Sequence, residues 1–140
     1  MTKVPKYWFK AKNYLSKKDK IMSRLIKSYQ SPSEIILTSR RDVFFSLCKS
    51  IIGQQISVAA ANSVFSKFRK KCKGKINAKT ISKLSSSQLK SCGLSRQKVL
   101  GIKTLAKQTL NKSFNPKLIN KMNDEEAIIY LSKLRQIGRW

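Results

Sequence analysis

The run Ile51-Ile52-Gly53-Gln54-Gln55-Ile56-Ser57-Val58-Ala59-Ala60-Ala61 joins two apolar stripes through a short polar turn. Upstream, Phe44, Leu47, Cys48, Ile51 and Ile52 recur at the spacing of one helix face, and Asp42 lies near the start, where an anion suits the helix dipole. Gly53 interrupts that helix. Ser57 is a good N-cap for the next, and Val58, Ala61, Val64, Phe65 and Phe68 fall on one side of it. Ala59, Ala60 and Ala61 are small enough to predict close packing against a neighbour.

The helical pattern continues in both directions. Toward the N-terminus, Ile21, Met22, Leu25, Ile26 and Tyr29 share a face, and Ser31-Pro32-Ser33 breaks it. Beyond a Lys-rich loop ending at Gly74, a short helix is predicted from Ala78 to Leu84. Another starts within Ser85-Ser86-Ser87 and stops at Gly93. Ser95 opens a longer helix carrying Val99, Ile102, Leu105, Ala106 and Leu110. Asn115-Pro116 reads as a cap and first helical position. Asn123 and Glu126 have capping-box spacing ahead of a last helix with Ala127, Ile128, Tyr130, Leu131 and Leu134. There are no strand pairs with turn signals and no internal repeats, so the fold class is all-α.

Composition bounds the function. Lys plus Arg is 31 and Asp plus Glu is 6, a formal charge of +25, while 41% of residues are apolar. A real core is available, and a folded chain so charged calls for a polyanionic partner, most simply nucleic acid. Of the cations 24 are Lys and 7 are Arg. Lys suits diffuse phosphate attraction more than bidentate base reading, which favours sequence-independent backbone binding. There is no His, so imidazole chemistry is excluded. Cys48, Cys72 and Cys92 are odd in number and widely spaced, which argues against a disulfide framework or a zinc or iron–sulfur site and fits reduced thiols in a cytoplasmic protein. A monomer is the expectation. No apolar run is long enough to span a bilayer, and no signal core follows Met1. Asp124, Glu125 and Glu126 are half of all the acids. They can be read as a catalytic or metal-binding cluster, or as anions at a helix N-terminus; the second is the simpler.

Three segments in order carry a resemblance. They are residues 51–61 above, Leu89-Lys90-Ser91-Cys92-Gly93-Leu94-Ser95-Arg96-Gln97-Lys98, and Leu131-Ser132-Lys133-Leu134-Arg135-Gln136-Ile137-Gly138-Arg139-Trp140. Together they resemble the helix-hairpin-helix DNA glycosylases, specifically the 3-methyladenine DNA glycosylase II branch. Tyr7-Trp8-Phe9-Lys10-Ala11 and Arg41-Asp42-Val43-Phe44 also suit that branch.

The resemblance implies a multi-helix glycosylase fold ending within its helix-hairpin-helix motif. Residues 1–40 would be the N-terminal part of a split lobe, 41–134 the central helical lobe, and 135–140 the start of the hairpin. It implies base excision of alkylated purines from double-stranded DNA by hydrolysis of the N-glycosidic bond. No small-molecule cofactor is implied, beyond a structural monovalent cation at the hairpin, and no membrane. Gln55 would fill the gap left by a base taken out of the stack; on local sequence alone it reads as a polar turn residue. Ile137, Gly138 and Arg139 would engage a phosphate, with Gly138 allowing close approach. Gln136 stands where the family usually carries the first Gly of Gly-Ile-Gly. Trp140 would be an aromatic of the base pocket, stacking on a cationic alkylated base.

The family's catalytic Asp lies on a segment beyond the hairpin, which would start after Trp140. The expectation is therefore an N-terminal fragment of a longer gene product, or the product of a truncated gene, inactive by itself, with residues around Trp8, Tyr14, Ile21 and Leu25 exposing apolar surface. A non-catalytic, sequence-independent DNA-binding module is the alternative. A basic RNA-binding protein would explain the charge but not the three segments. If the source is bacterial, association with the nucleoid is implied.

Overall fold

Asp42, Ser57, Asn77, Ser85, Ser95 and Asn123 each accept a backbone N–H at the start of a helix. Such a cap satisfies a donor that has no partner inside the helix and is worth about 1 kcal/mol. The computed structural model describes residues 5–29 and 42–139. Their regular structure is helical, with no strand among the described residues. The predicted breaker at residues 31–33 lies outside the described residues.

The chain divides into two compact units, 1–41 and 42–140. In the first, α1 (Trp8–Lys18) and α2 (Lys20–Ser28) form a hairpin about Asp19. The Asp19 carboxylate accepts from the N–H groups of Ile21 at 2.7 Å and Met22 at 2.9 Å. Trp8, Ala11 and Leu15 face Met22, Leu25 and Ile26 across an apolar concavity. None of the described residues of α1 and α2 is fully buried.

The second unit holds the core. Its helices are α3 (Val43–Gly53), α4 (Val58–Lys71), α5 (Ala78–Ser82), α6 (Ser86–Lys90), α7 (Arg96–Leu110), a 3-10 helix (Pro116–Lys121) and α8 (Asp124–Ser132). The central element is α7, which packs on α3, α5 and α6, while α3 also meets α4 and the 3-10 helix. The whole predicted stripe of α3, Phe44, Leu47, Cys48, Ile51 and Ile52, is buried. It meets Phe68, Ile81, Leu89, Ile102 and Leu105 in one cluster with no buried polar or charged residue. Phe114 stacks on Tyr130 at 5.4 Å, and the Asn115 N–H donates to the Tyr130 hydroxyl at 2.9 Å. This ties the chain after α7 to α8.

The structure departs from the sequence reading in a few places. Val58 is 78% exposed and Ala59 and Ala60 are exposed, so in the first turn of α4 only Ala61 is half-buried, close to Gly53. Leu110 is also exposed, because the last turn of α7 runs past the core. The helix from Ala78 ends at Ser82, and α8 ends at Ser132, leaving the buried Leu134 in the turn that follows.

Candidate nucleic-acid interface

The turn between α3 and α4 is held from two sides. Lys98, in the first turn of α7, donates through Nζ to the carbonyl of Ile52 at 2.8 Å and to that of Gln54 at 2.7 Å. These close carbonyls at the C-terminal end of α3, where the dipole favours a cation. The Gln54 side chain donates through Nε2 to the backbone carbonyl of Gln136. The link spans 82 positions of sequence and joins the α3–α4 turn to the hairpin that follows α8.

Two residues of this arrangement have left-handed backbone. Gln55 has φ +56° and Gln136 has φ +70°. Lys73 and Lys112 are left-handed too, but each follows a helix C-cap, where that conformation is common. Gln55 likewise follows the α3 C-cap, Gln54, and Gln136 is the third residue of the turn that the Ile137 N–H closes on the Leu134 carbonyl; a non-glycine residue held there costs on the order of 1 kcal/mol. The left-handed position at 136 is thus kept although its residue is Gln.

The hairpin also fits α7 closely. Gly101, in mid-helix and buried, lies against Gln136: a Cβ there would stand 2.8 Å from Cγ and 3.3 Å from Cβ of that residue. Arg135 donates to the Gln97 carbonyl oxygen Oε1 at 3.2 Å. Gln54, Gln55, Ser95, Gln97, Lys98 and Gln136 line an open depression of about 380 Å³. Its lining residues are amides, a serine and Lys98, with much of the surface supplied by their aliphatic stems, and no described carboxylate is among them.

The predicted site residues are distributed as follows. Gln55 is exposed at the rim of the depression. The Ile137 side chain packs against the core, and its N–H donates to the Leu134 carbonyl at 3.2 Å. Gly138 is exposed with nothing of this chain within 4 Å of a Cβ position, so its surface is open. Arg139 is paired with Glu125 at 2.9 Å, both side chains more than half exposed. Trp140 lies outside the described residues.

Four of the five described acids have structural roles. Asp19 and Asp42 are caps, Glu126 closes the capping box with Asn123, and Glu125 holds Arg139. Sequence reasoning gave no role to Gln54, Lys98 or Gly101. Two signals were present: a Lys in the first turn of α7, which the dipole disfavours unless acceptors face it, and a mid-helix Gly, which costs about 1 kcal/mol relative to Ala.

Residues 48–137 match the model of the HhH-GPD superfamily of base excision DNA repair proteins. The chain is 30% identical over 135 residues to alkylbase DNA glycosidase-like protein mag2 of Schizosaccharomyces pombe, covering 94% of this chain and 63% of that one. It is 25% identical over 134 residues to DNA-3-methyladenine glycosylase 1 of the same yeast, covering 94% and 59%. The solved structure of S. pombe 3-methyladenine DNA glycosylase Mag1 in complex with abasic DNA superimposes with a TM-score of 0.82 at 25% identity, over 94% of this chain and 65% of that one. The chain thus spans about 60% of the length of these two relatives.

Proposed function

Because the chain belongs to the HhH-GPD superfamily of base excision DNA repair proteins, we propose that it is the DNA-engaging part of a glycosylase of the 3-methyladenine type. Its partner is duplex DNA carrying an alkylated purine. The reaction is hydrolysis of the N-glycosidic bond: water adds at the sugar C1′ and gives up a proton to solvent, and the bond to the cationic base breaks with its electron pair leaving on the base, which departs neutral. A base cannot be reached inside the stack, so the nucleotide must first swing out. Gln55 enters the gap from the minor groove, where its amide hydrogen-bonds the widowed partner base.

One observation carries this reading. The Gln54 side chain donates to the Gln136 carbonyl while Lys98 closes the same turn, so the wedge turn and the hairpin form one surface. A wedge works only if the backbone beside it is gripped at a fixed distance, and this link supplies the fixed distance. The Ile137 N–H is taken by the Leu134 carbonyl, and beyond it the exposed Gly138 leaves a phosphate room to approach the backbone. The hairpin's neutral carbonyls suit a monovalent cation, and Gln136 O keeps a second lone pair beyond the one taken by Gln54. When bound, such an ion adds positive charge beside the phosphate.

The experiment is binding of the 140-residue chain to duplexes with and without a tetrahydrofuran abasic site, followed by an assay of base release from 3-methyladenine DNA. Tighter binding to the abasic duplex is expected; equal affinity, or no binding, overturns the reading. The alternative, a non-catalytic DNA-binding module, is favoured by the employment of four of the five described acids as caps or in an ion pair and is supported by equal binding to the two duplexes without base release.

A further inference from the structure

A second basic feature lies at the far end of α4 from the Gln55 turn. Lys67, Lys70, Lys71 and Lys73 surround a depression of about 470 Å³ whose remaining lining is Ser91 and Cys92, at the end of α6. All four lysines are exposed. Lysines at a helix C-terminus commonly do no more than offset the dipole. Here that account is incomplete. Among the described residues, Lys98 and Lys103 donate through Nζ to backbone carbonyls, and none of these four does. None is paired with a described carboxylate either. Lys67 stands more than a turn before the end of α4, and the depression draws on a second element. Four like charges around one concavity repel one another unless an anion sits among them.

We infer that this depression seats a backbone phosphate of duplex DNA outside the lesion site. The inference rests on the DNA-binding function proposed above. The 14 residues of α4 separate the depression from the Gln55 turn by about 20 Å of helix rise. The two features thus hold phosphates well apart, and the second has no part in recognising damage. Its role is to raise affinity for any duplex and to hold the protein on DNA during a search.

The test compares the chain with its Lys67→Gln/Lys71→Gln variant. A Lys117→Gln/Lys121→Gln variant, which loses the same charge on the 3-10 helix, is the control. Binding to intact and abasic duplexes of about 25 base pairs is measured by fluorescence anisotropy from 50 to 200 mM salt. Losing one phosphate contact lowers the slope of log K against log salt by about 0.9. The depression variant is expected to lose that slope and bind both duplexes about tenfold less tightly at low salt. Its preference for the abasic duplex is expected to be unchanged, with a smaller effect in the control. Inorganic phosphate is expected to shift the amide resonances of Ser91, Cys92 and Gly93 in the parent chain only. Equal effects in the two variants, an unchanged slope, or a slope loss seen only with duplex RNA each overturn the inference. So does a phosphate response without a DNA effect. Thermal melts of both variants check folding, and Lys67→Arg/Lys71→Arg is expected to restore binding if the Gln pair is unstable. Failure of the parent chain to bind any duplex would instead overturn the proposed function.

Discussion

Gly101 and Gln136 are fitted to each other: the helix gives up a side chain where the hairpin puts one, at a would-be separation of 2.8 Å. The mid-helix glycine is explained by this approach and not by backbone freedom, since its φ is ordinary. Gly101→Ala gains about 1 kcal/mol of helix propensity and loses about 1–3 kcal/mol to overpacking. The expected outcome is net destabilisation and weaker DNA binding through a displaced hairpin. Gln136→Gly, added to it, is expected to recover stability. A double-mutant cycle by urea unfolding checks this, with a coupling of at least 0.5 kcal/mol expected.

Lys98→Met removes two charge-assisted hydrogen bonds to backbone carbonyls while keeping most of the side-chain volume. A loss of about 1.5–3 kcal/mol is expected, read as a lower urea midpoint at unchanged m-value. DNA affinity falls with it, because the Gln55 turn loses its fixed position. An unchanged midpoint would remove Lys98 from the support of the site.

Gln55→Gly should separate stability from function. The left-handed φ of +56° is free of strain for Gly, so the variant is expected to be more stable by about 0.5–1 kcal/mol. It should lose the preference for an abasic over an intact duplex, because nothing fills the gap. Thermal melts and competition binding read the two effects independently.

Much of this was legible in the sequence. The stripe of α3, the caps at Ser57 and Ser95, and the capping box of Asn123 and Glu126 follow from local pattern, and the structure has them all. Gln55 was marked only by the family resemblance, since its local sequence reads as a polar turn. The supports of the site were not legible as such, because Gln54, Lys98, Gly101 and Gln136 act across dozens of positions through backbone carbonyls and close contact. Nothing in hydrophobic periodicity encodes which carbonyl a side chain will meet. The exposure of Val58 has the same origin: periodicity predicts a face, but the core stops short of the first turn of α4.

Glu125→Gln frees Arg139 from an exposed ion pair. Stability is expected to change by less than about 1 kcal/mol. DNA binding is expected to tighten several-fold at low salt, because the guanidinium no longer has to leave a carboxylate to meet a phosphate. Arg139→Gln should weaken binding, and the two variants combined should resemble Arg139→Gln alone. Salt-dependent anisotropy checks the series.

The three buried thiols predict an alkaline limit. Burial pushes Cys48 up to about 12 and Cys72 up to about 11 from an ordinary 9.0, and raises Cys92 as well. Above pH 9 the unfolded chain releases protons that the folded chain keeps, so stability is full below pH 9 and falls as pH rises toward 11 to 12. Melting temperatures from pH 8 to 11 check this, and Cys48→Ala is expected to flatten the decline. Thiol reagents at pH 8 should label all three only after unfolding.

The bond from the Gln54 amide to the Gln136 carbonyl makes two loops into one mechanical part. Neither loop can then drift alone over evolutionary time. A sequence that lengthens the hairpin, or shortens residue 54 to Ser, must re-span the distance with a compensating change in the other loop. Among relatives these two positions should therefore vary as a pair.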